Sequence, residues 1–271
     1  MRLLSMAAAQ QGQSVFLDAD LKIYLASLTT PLSAGQINLL NTFVTDLKTG
    51  LGITNLSDVF DVMYILGNET EEAALKNLVK RTHDGILESA SGSLLFTQFE
   101  GFTGGTDAQQ QRVNTNYIPA TDGDNISLNS AAYGVYGRVV SAAANTLIGV
   151  FSGTGRVTLL SSGAVTAIHD GTSTTVGRWP LGMNIISRAI NTNYKHYKNK
   201  TEGTVNITST ILPTHDIWLL GINDNGAPLA TNWGRGDQIS FYFGGRALSQ
   251  ADVDVITDAF QAYMTANGKQ V

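Results

Sequence analysis

Asp237-Gln238-Ile239-Ser240-Phe241-Tyr242-Phe243-Gly244-Gly245-Arg246-Ala247-Leu248-Ser249, followed by Ala251-Asp252-Val253, holds two periodicities in one short stretch. Ile239, Phe241 and Phe243 are spaced by two, which predicts a strand with those three side chains on one face and Ser240 and Tyr242 on the other. At Ser249 the period changes. Val253, Ile256, Phe260 and Tyr263 recur at helical spacing, Ser249 is a natural N-cap, and Asp252 stands three positions on as a capping partner one methylene shorter than Glu. Asn267-Gly268 supplies the stop. A strand that runs into a capped helix therefore closes the chain.

Working towards the N-terminus, short apolar runs are cut by Gly, Asn, Asp and Ser every 8–12 residues or so, the spacing of an antiparallel sandwich. Strands are predicted over 94–99, 113–117, 132–140, 145–151, 156–161, 164–169, 181–188, 194–198, 204–211, 216–222 and 238–244. Asn223-Asp224-Asn225-Gly226 and Lys198-Asn199-Lys200 read as turns. Before residue 90 the texture is helical. Ser33-Ala34-Gly35-Gln36 has the form of a capping box behind Pro31, and Ile37, Leu40, Phe43, Val44 and Leu47 make one apolar stripe, giving a helix over 33–49 ended by Gly50. A buried strand is predicted over 58–66 and a second helix over 69–81, with Glu69, Glu71 and Glu72 at its start and Lys80 and Arg81 at its end. The division expected is a tail or docking segment over 1–30, a helical region with one strand over 31–90 that packs on the sandwich, and the sandwich with its closing helix over 91–271. The fold class is thus mainly β.

Composition excludes several functions. The net charge of −5, with no Lys/Arg cluster, argues against nucleic acid as a partner. The densest basic stretch, Lys195, Lys198 and Lys200 among Tyr194 and Tyr197, has the pattern of the solvent face of a strand. With no cysteine there are no disulfides or zinc–thiolate sites. No run approaches the ~20 apolar residues that a membrane span needs, so no membrane insertion is expected. The Met1–Ala9 stretch is short for a signal peptide and reads better as a tail.

The closing stretch resembles the end of concanavalin A-like, laminin-G-like sandwiches, where "D-x-V/I-x-φ-x-φ" is followed by "R-A-L-S-x-x-E/D-I/V". Phe99-Glu100-Gly101-Phe102-Thr103-Gly104-Gly105 with Val113-Asn114-Thr115-Asn116-Tyr117-Ile118-Pro119 resembles an opening strand pair, Tyr194-Lys195-His196-Tyr197-Lys198-Asn199 the strand and turn often reading "lYkNG", and Trp218-Leu219-Leu220-Gly221 the strand before the close. Lys200 stands where that family commonly has Gly. The resemblance covers about 94–265 and implies a jelly-roll sandwich. Joined to an upstream helix and strand, it is similar to structural proteins of tailed bacteriophages. This similarity implies a virion fibre or capsid decoration, docked to other virion proteins through the N-terminal region and forming a homo-oligomer. A secreted or cell-surface lectin is the alternative.

Carbohydrate binding is the leading chemistry. Sugar sites pair an aromatic face with amide or carboxylate groups, and Asn223, Asp224, Asn225, Asn232 and Trp233 fall in one polar loop, with Trp179 and Tyr197 near other turns. A host-surface glycan is therefore the expected ligand, while Trp218, between Ile217 and Leu219, reads as core. No cofactor is required. Calcium is the one ion the sequence suggests, through the oxygens of Asp122, Asp124 and Asn125. Catalysis is not expected. Glycosidases need two carboxylates ~5–9 Å apart, and Glu100, Asp107, Glu202, Asp216 and Asp237 are scattered. His169-Asp170 and His215-Asp216 are adjacent pairs whose side chains would point to opposite faces of a strand.

Overall fold

The Gln238–Gly245 strand is the middle of the molecule. In the computed structural model, which describes residues 16–141, 145–161, 165–231 and 233–271, this strand pairs along one edge with Ala131–Val139. Its other edge is shared by Gly101–Thr103 and Phe60–Tyr64. The sheet continues outward from Ala131–Val139 through Gly182–Arg188 and Tyr194–Lys198 to Thr201–Val205, and on the opposite side ends at Leu95–Thr97. A second sheet runs Thr174–Thr175, Val165–Asp170, Gly155–Leu160, Thr146–Ser152, Trp218–Leu219, Arg112–Asn114, Ile86–Glu88. Beside it Asn223–Asp224 lies parallel to Thr146–Ser152 and antiparallel to Ala227–Pro228. The protein is mainly β, a two-sheet sandwich with a helical N-terminal region and a C-terminal helix.

Two cores share the first sheet. Between the sheets lie Val62, Tyr64, Val135 and Tyr242 with Val113, Ile148, Val157, Leu159, Ile168 and Leu219. On the outer side of the first sheet, Tyr136, Ile185, Phe241 and Phe243 are covered by Phe43, Leu47, Phe260 and Met264 from the helices. Phe241 stacks on Phe260 with centroids 4.4 Å apart, and Phe43 meets both rings edge-on. Each such pair adds about 1 kcal/mol to the burial of its rings.

The alternation expected across Ile239, Phe241 and Phe243 breaks at Ser240. The register against Ala131–Val139 shifts between Ile239 and Phe241, so Ile239 joins Tyr242 in the inter-sheet core while Phe241 and Phe243 face the helices. Neighbours hold the irregular residue in place. Ser240 Oγ donates to the Glu100 carbonyl at 2.6 Å, and the Ser240 carbonyl accepts from Gly67 N–H at 2.7 Å. An extra residue in a strand reverses the faces that follow it.

The closing helix, Gln250–Ala266, has the predicted Ser249–Asp252 box with both bonds formed and the predicted buried stripe. The first long helix is Ala34–Leu51, ending two residues later than expected, because Gly52 rather than Gly50 takes the left-handed cap. Its box is only half made. Ser33 accepts from Gln36 N–H, but the Gln36 amide turns inward to Asn68 and Tyr263. The helix expected over 69–81 is just Glu71–Leu75. Asn77 ends it by accepting from Met63 and Val79 N–H and donating its own N–H to Asp84. Of the 1–30 tail, residues 1–15 lie outside the described residues. The remainder is no tail: Ala19–Leu25 is a helix with Leu21 and Tyr24 buried, tied by Lys48 to Asp18 and Asp20 at 2.7 Å. The strand expected over 204–211 is instead the Thr201–Val205 arm of a hairpin, and that over 216–222 shrinks to Trp218–Leu219.

Candidate functional site

A strand two residues long at Trp218–Leu219 lets side chains from its neighbours and from the loop before it converge outside the second sheet. Val113, Ile217 and Leu219 point into the core, so Arg112, Asn114 and Trp218 face outward by the period of two. With Glu88, His215, Asp216 and Asn223 they line a hollow of about 500 Å³. Its centre is the Asn114 amide, whose Nδ2 donates to Glu88 Oε1 at 3.1 Å and to Asp216 Oδ2 at 3.2 Å. Arg112 pairs with Glu88 at 2.5 Å and lays its guanidinium 3.9 Å from the Trp218 ring centre. Ser152 Oγ lies 3.0 Å from His215 Nδ1, and Asn223 Nδ2 donates to the Asp216 carbonyl. Chemically the hollow offers carboxylate acceptors, carboxamides, an imidazole and a cation, the set that hydrogen-bonds hydroxyl-rich molecules.

The expected ligand residues are dispersed. Trp233 is fully buried, packed against Gly221 and Trp218 rather than presented to solvent; Arg235 and Asp107 pair outside it. Asn232 lies outside the described residues. Tyr197 is buried beneath the helices and Trp179 is buried under another surface hollow. Only Asn223 reaches the hollow described here, while Asp224 and Asn225 stay in their turn, with Asn225 donating to Asp224 at 2.8 Å.

The Asp122–Asn125 oxygens and amide that suggested calcium are engaged within the protein. Asp122 accepts from Ile118 N–H and Thr121 Oγ1. Asp124 is bound by the Lys80 ammonium at 2.5 Å, so a cation already occupies that side. The hydrogen bond and the charge of Lys80 hold the Asp124 carboxyl below its ordinary range. Asn125 points its amide nitrogen at Ser57 O, Phe60 O and Asp61 Oδ1. The organiser of this loop is an acceptor that sequence reading passed over. Asp61, fully buried, takes N–H bonds from 124, 125 and 126 and the Tyr117 hydroxyl. Among the described residues no group of three or more His, Cys, Asp or Glu side chains converges as a metal site.

His215-Asp216 also departs from expectation. Because the chain is a loop before Trp218, both side chains reach the same hollow instead of opposite faces. The signal for the hollow was the polar–apolar–polar order of Arg112-Val113-Asn114 and the flanking of Trp218 by two inward aliphatics. Trp218, read as core from its place between Ile217 and Leu219, is indeed covered at 4 % exposure, but by Arg112 and Trp233 on the outer face.

No protein-family model and no curated protein matches the chain. Solved structures do. A mutant of Trypanosoma rangeli sialidase displaying trans-sialidase activity superposes with a TM-score of 0.52 at 12 % identity, covering 85 % of this chain and 40 % of the other. The binding domain of botulinum neurotoxin DC, in complex with rat synaptotagmin II, gives 0.52 at 11 % identity, covering 76 % and 53 %. The binding domain of botulinum neurotoxin serotype D gives 0.50 at 11 %, covering 74 % and 52 %. The chain thus spans about half or less of the length of each, and identities this low establish a shared β-sandwich fold and no more.

Proposed function

We propose that this protein is a non-enzymatic, glycan-binding β-sandwich protein whose sugar seats in the hollow around Asn114. The observation that carries this is the Asn114 amide holding Glu88 and Asp216 side by side at an outward-facing hollow, with Arg112 fixed over Trp218. Such prearranged acceptors and donors suit the paired hydroxyls of a pyranose, and their fixed positions lower the ordering cost of binding. That a sialidase and a neurotoxin binding domain carry sandwiches of this shape fits a recognition role. The wider setting, a virion fibre or capsid decoration that contacts host-surface glycans, is supported by the sequence resemblance; a secreted or cell-surface lectin would use the same hollow.

One observation favours a second reading. Two oxygens each about 3 Å from one nitrogen lie no more than ~6 Å apart, a bound that admits the ~5 Å spacing of retaining glycosidases. Binding is the better fit, because Glu88 is spent on both Arg112 and Asn114 rather than aimed at a scissile oxygen.

The deciding experiment is a glycan array probed with the full chain, with and without calcium, beside Asn114→Ala and Asp216→Asn. Calcium-independent binding, weakened about tenfold or more in both variants at unchanged fold, is the expected result. Silence from folded protein would shift the assignment to a purely architectural role. Release of new reducing ends, lost in Glu88→Gln, would establish the glycanase instead.

A further inference from the structure

A second hollow, of about 670 Å³, opens where the Ala131–Val139 strand ends and the loop leading into Gly182–Arg188 begins. It shares no lining residue with the hollow around Asn114. Two guanidiniums stand in its wall. Arg178 is exposed and anchored by one bond, Nη2 to the Val140 carbonyl at 2.7 Å; among the described residues no carboxylate pairs with it. Arg138 is steered into place by Gln238 Oε1 and the Lys269 carbonyl. Among the described residues the carboxylate near Arg138 is Glu100, at 3.9 Å, which is held more closely by Lys269 at 2.6 Å. Among the described residues no acidic side chain lines the hollow. In a chain with net charge −5 this is a local excess of positive charge.

The remaining wall is apolar. Val139 and Leu181 are 47 % and 44 % exposed, large aliphatic surfaces left in water at the mouth of the same hollow. Beneath them lies the buried Trp179 indole, with the Lys198 ammonium 5.3 Å from its ring centre. Planar guanidiniums favour carboxylates, which they bind through paired N–H bonds, and the aliphatic wall calls for a ring with an apolar C–H face. The volume falls within the range of small-molecule sites.

We infer that this hollow is a second binding site, selective for a carboxylate-bearing sugar such as a hexuronic acid unit of an acidic polysaccharide. Arg178 and Arg138 receive the carboxylate, and Val139 and Leu181 contact the ring. That the ligand is a sugar rests on the glycan reading above; that it is anionic rests on this hollow alone.

The test titrates the full chain with digalacturonate, with the neutral disaccharide of galactose and with inorganic phosphate, following heat of binding and tryptophan fluorescence. Three proteins are compared: the wild type, Arg178→Gln and Glu88→Gln. Arg178 is exposed, so its variant should keep the wild-type unfolding midpoint. Digalacturonate is expected to bind the wild type at least about tenfold tighter than Arg178→Gln, with Glu88→Gln unaffected and the neutral sugar not competing. Digalacturonate binding that is lost in Glu88→Gln and kept in Arg178→Gln would overturn this second site while leaving the glycan reading standing. Phosphate competing as well as digalacturonate would overturn the sugar assignment in favour of a bare anion site, and no digalacturonate binding at all would overturn the site itself.

Discussion

His169 is expected to make the sandwich lose stability in mild acid, by an amount that one substitution can isolate. Its ring is fully buried between the sheets. Nδ1 faces the Leu128 carbonyl at 3.2 Å, and a carbonyl can only accept, so Nδ1 carries the proton; Nε2, 2.9 Å from the Tyr133 hydroxyl, is then an acceptor. Burial pushes the imidazole down from 6.5 to about 4, the Leu128 bond opposes this, and the nearby Arg188 charge adds to it. The unfolded chain therefore takes up a proton near pH 6.5 that the folded chain refuses until about pH 4. Stability contributed by the neutral ring is complete above 6.5, falls as pH drops towards 4 and levels off below it. Linkage makes the loss about 2 kcal/mol by pH 5 and about 3 kcal/mol by pH 4. Urea unfolding of the wild type and His169→Asn at pH 8, 7, 6 and 5 measures it. Asn tolerates the left-handed backbone at this position, where φ is 58°. The variant loses a constant amount because Tyr133 is left without its acceptor, so only the difference in pH slope is informative. His196, also lowered by burial, titrates in both proteins and cancels. Asp170, raised by its own burial beside Arg188, cancels likewise. Parallel pH profiles for the two proteins would refute the assignment of the acid-sensitive proton to His169.

Trp233→Ala is expected to cost about 3–5 kcal/mol of stability, as for a large buried aromatic, while sugar affinity of the folded fraction at low temperature stays within about twofold; thermal unfolding beside the array separates the two effects. Lys200→Gly is expected to stabilise by about 0.5–1 kcal/mol, read as a higher urea midpoint. Asn199 and Lys200 form the two-residue turn between Lys198 and Thr201 with φ of 45° and 73°, a conformation that suits Asn-Gly. The exposed Lys200–Asp258 pair that would be lost is worth little.

Much of the fold was legible because most strands announce themselves by period and turn chemistry. Tyr194–Lys198 and Gly182–Arg188 fall within a residue of expectation. The closing helix was legible down to its cap. What was not legible depends on partners distant in the chain. The bulge at Ser240 is held by Gly67 and Glu100, and nothing in Ile239-Ser240-Phe241 announces it. The helix at Glu71 stops at Lys76 because Asn77 serves Met63, a strand residue fourteen positions back. The burial of Trp233 was hidden for a related reason. Polar neighbours around Trp233 suggested exposure, but Gly221 and Gly234 let the indole and its backbone settle into the body, where a Cβ on either glycine would collide. Trp218, by contrast, lies between two aliphatics that point inward and so was itself turned outward.

Covering one face of a sheet decides where recognition can occur. Over its central strands the first sheet has the inter-sheet core on one side and the helices on the other. That leaves the outer face of the second sheet and the strand ends. The two hollows lie in those places: one beside the short Trp218–Leu219 strand, the other at the end of Ala131–Val139. The helical N-terminal region covers the outer side of those central strands with Phe43 and Leu47, joined by Phe260 of the closing helix. Under the proposed reading, binding then falls to the outer surface on which Glu88, Arg112, Asn114 and Asp216 meet.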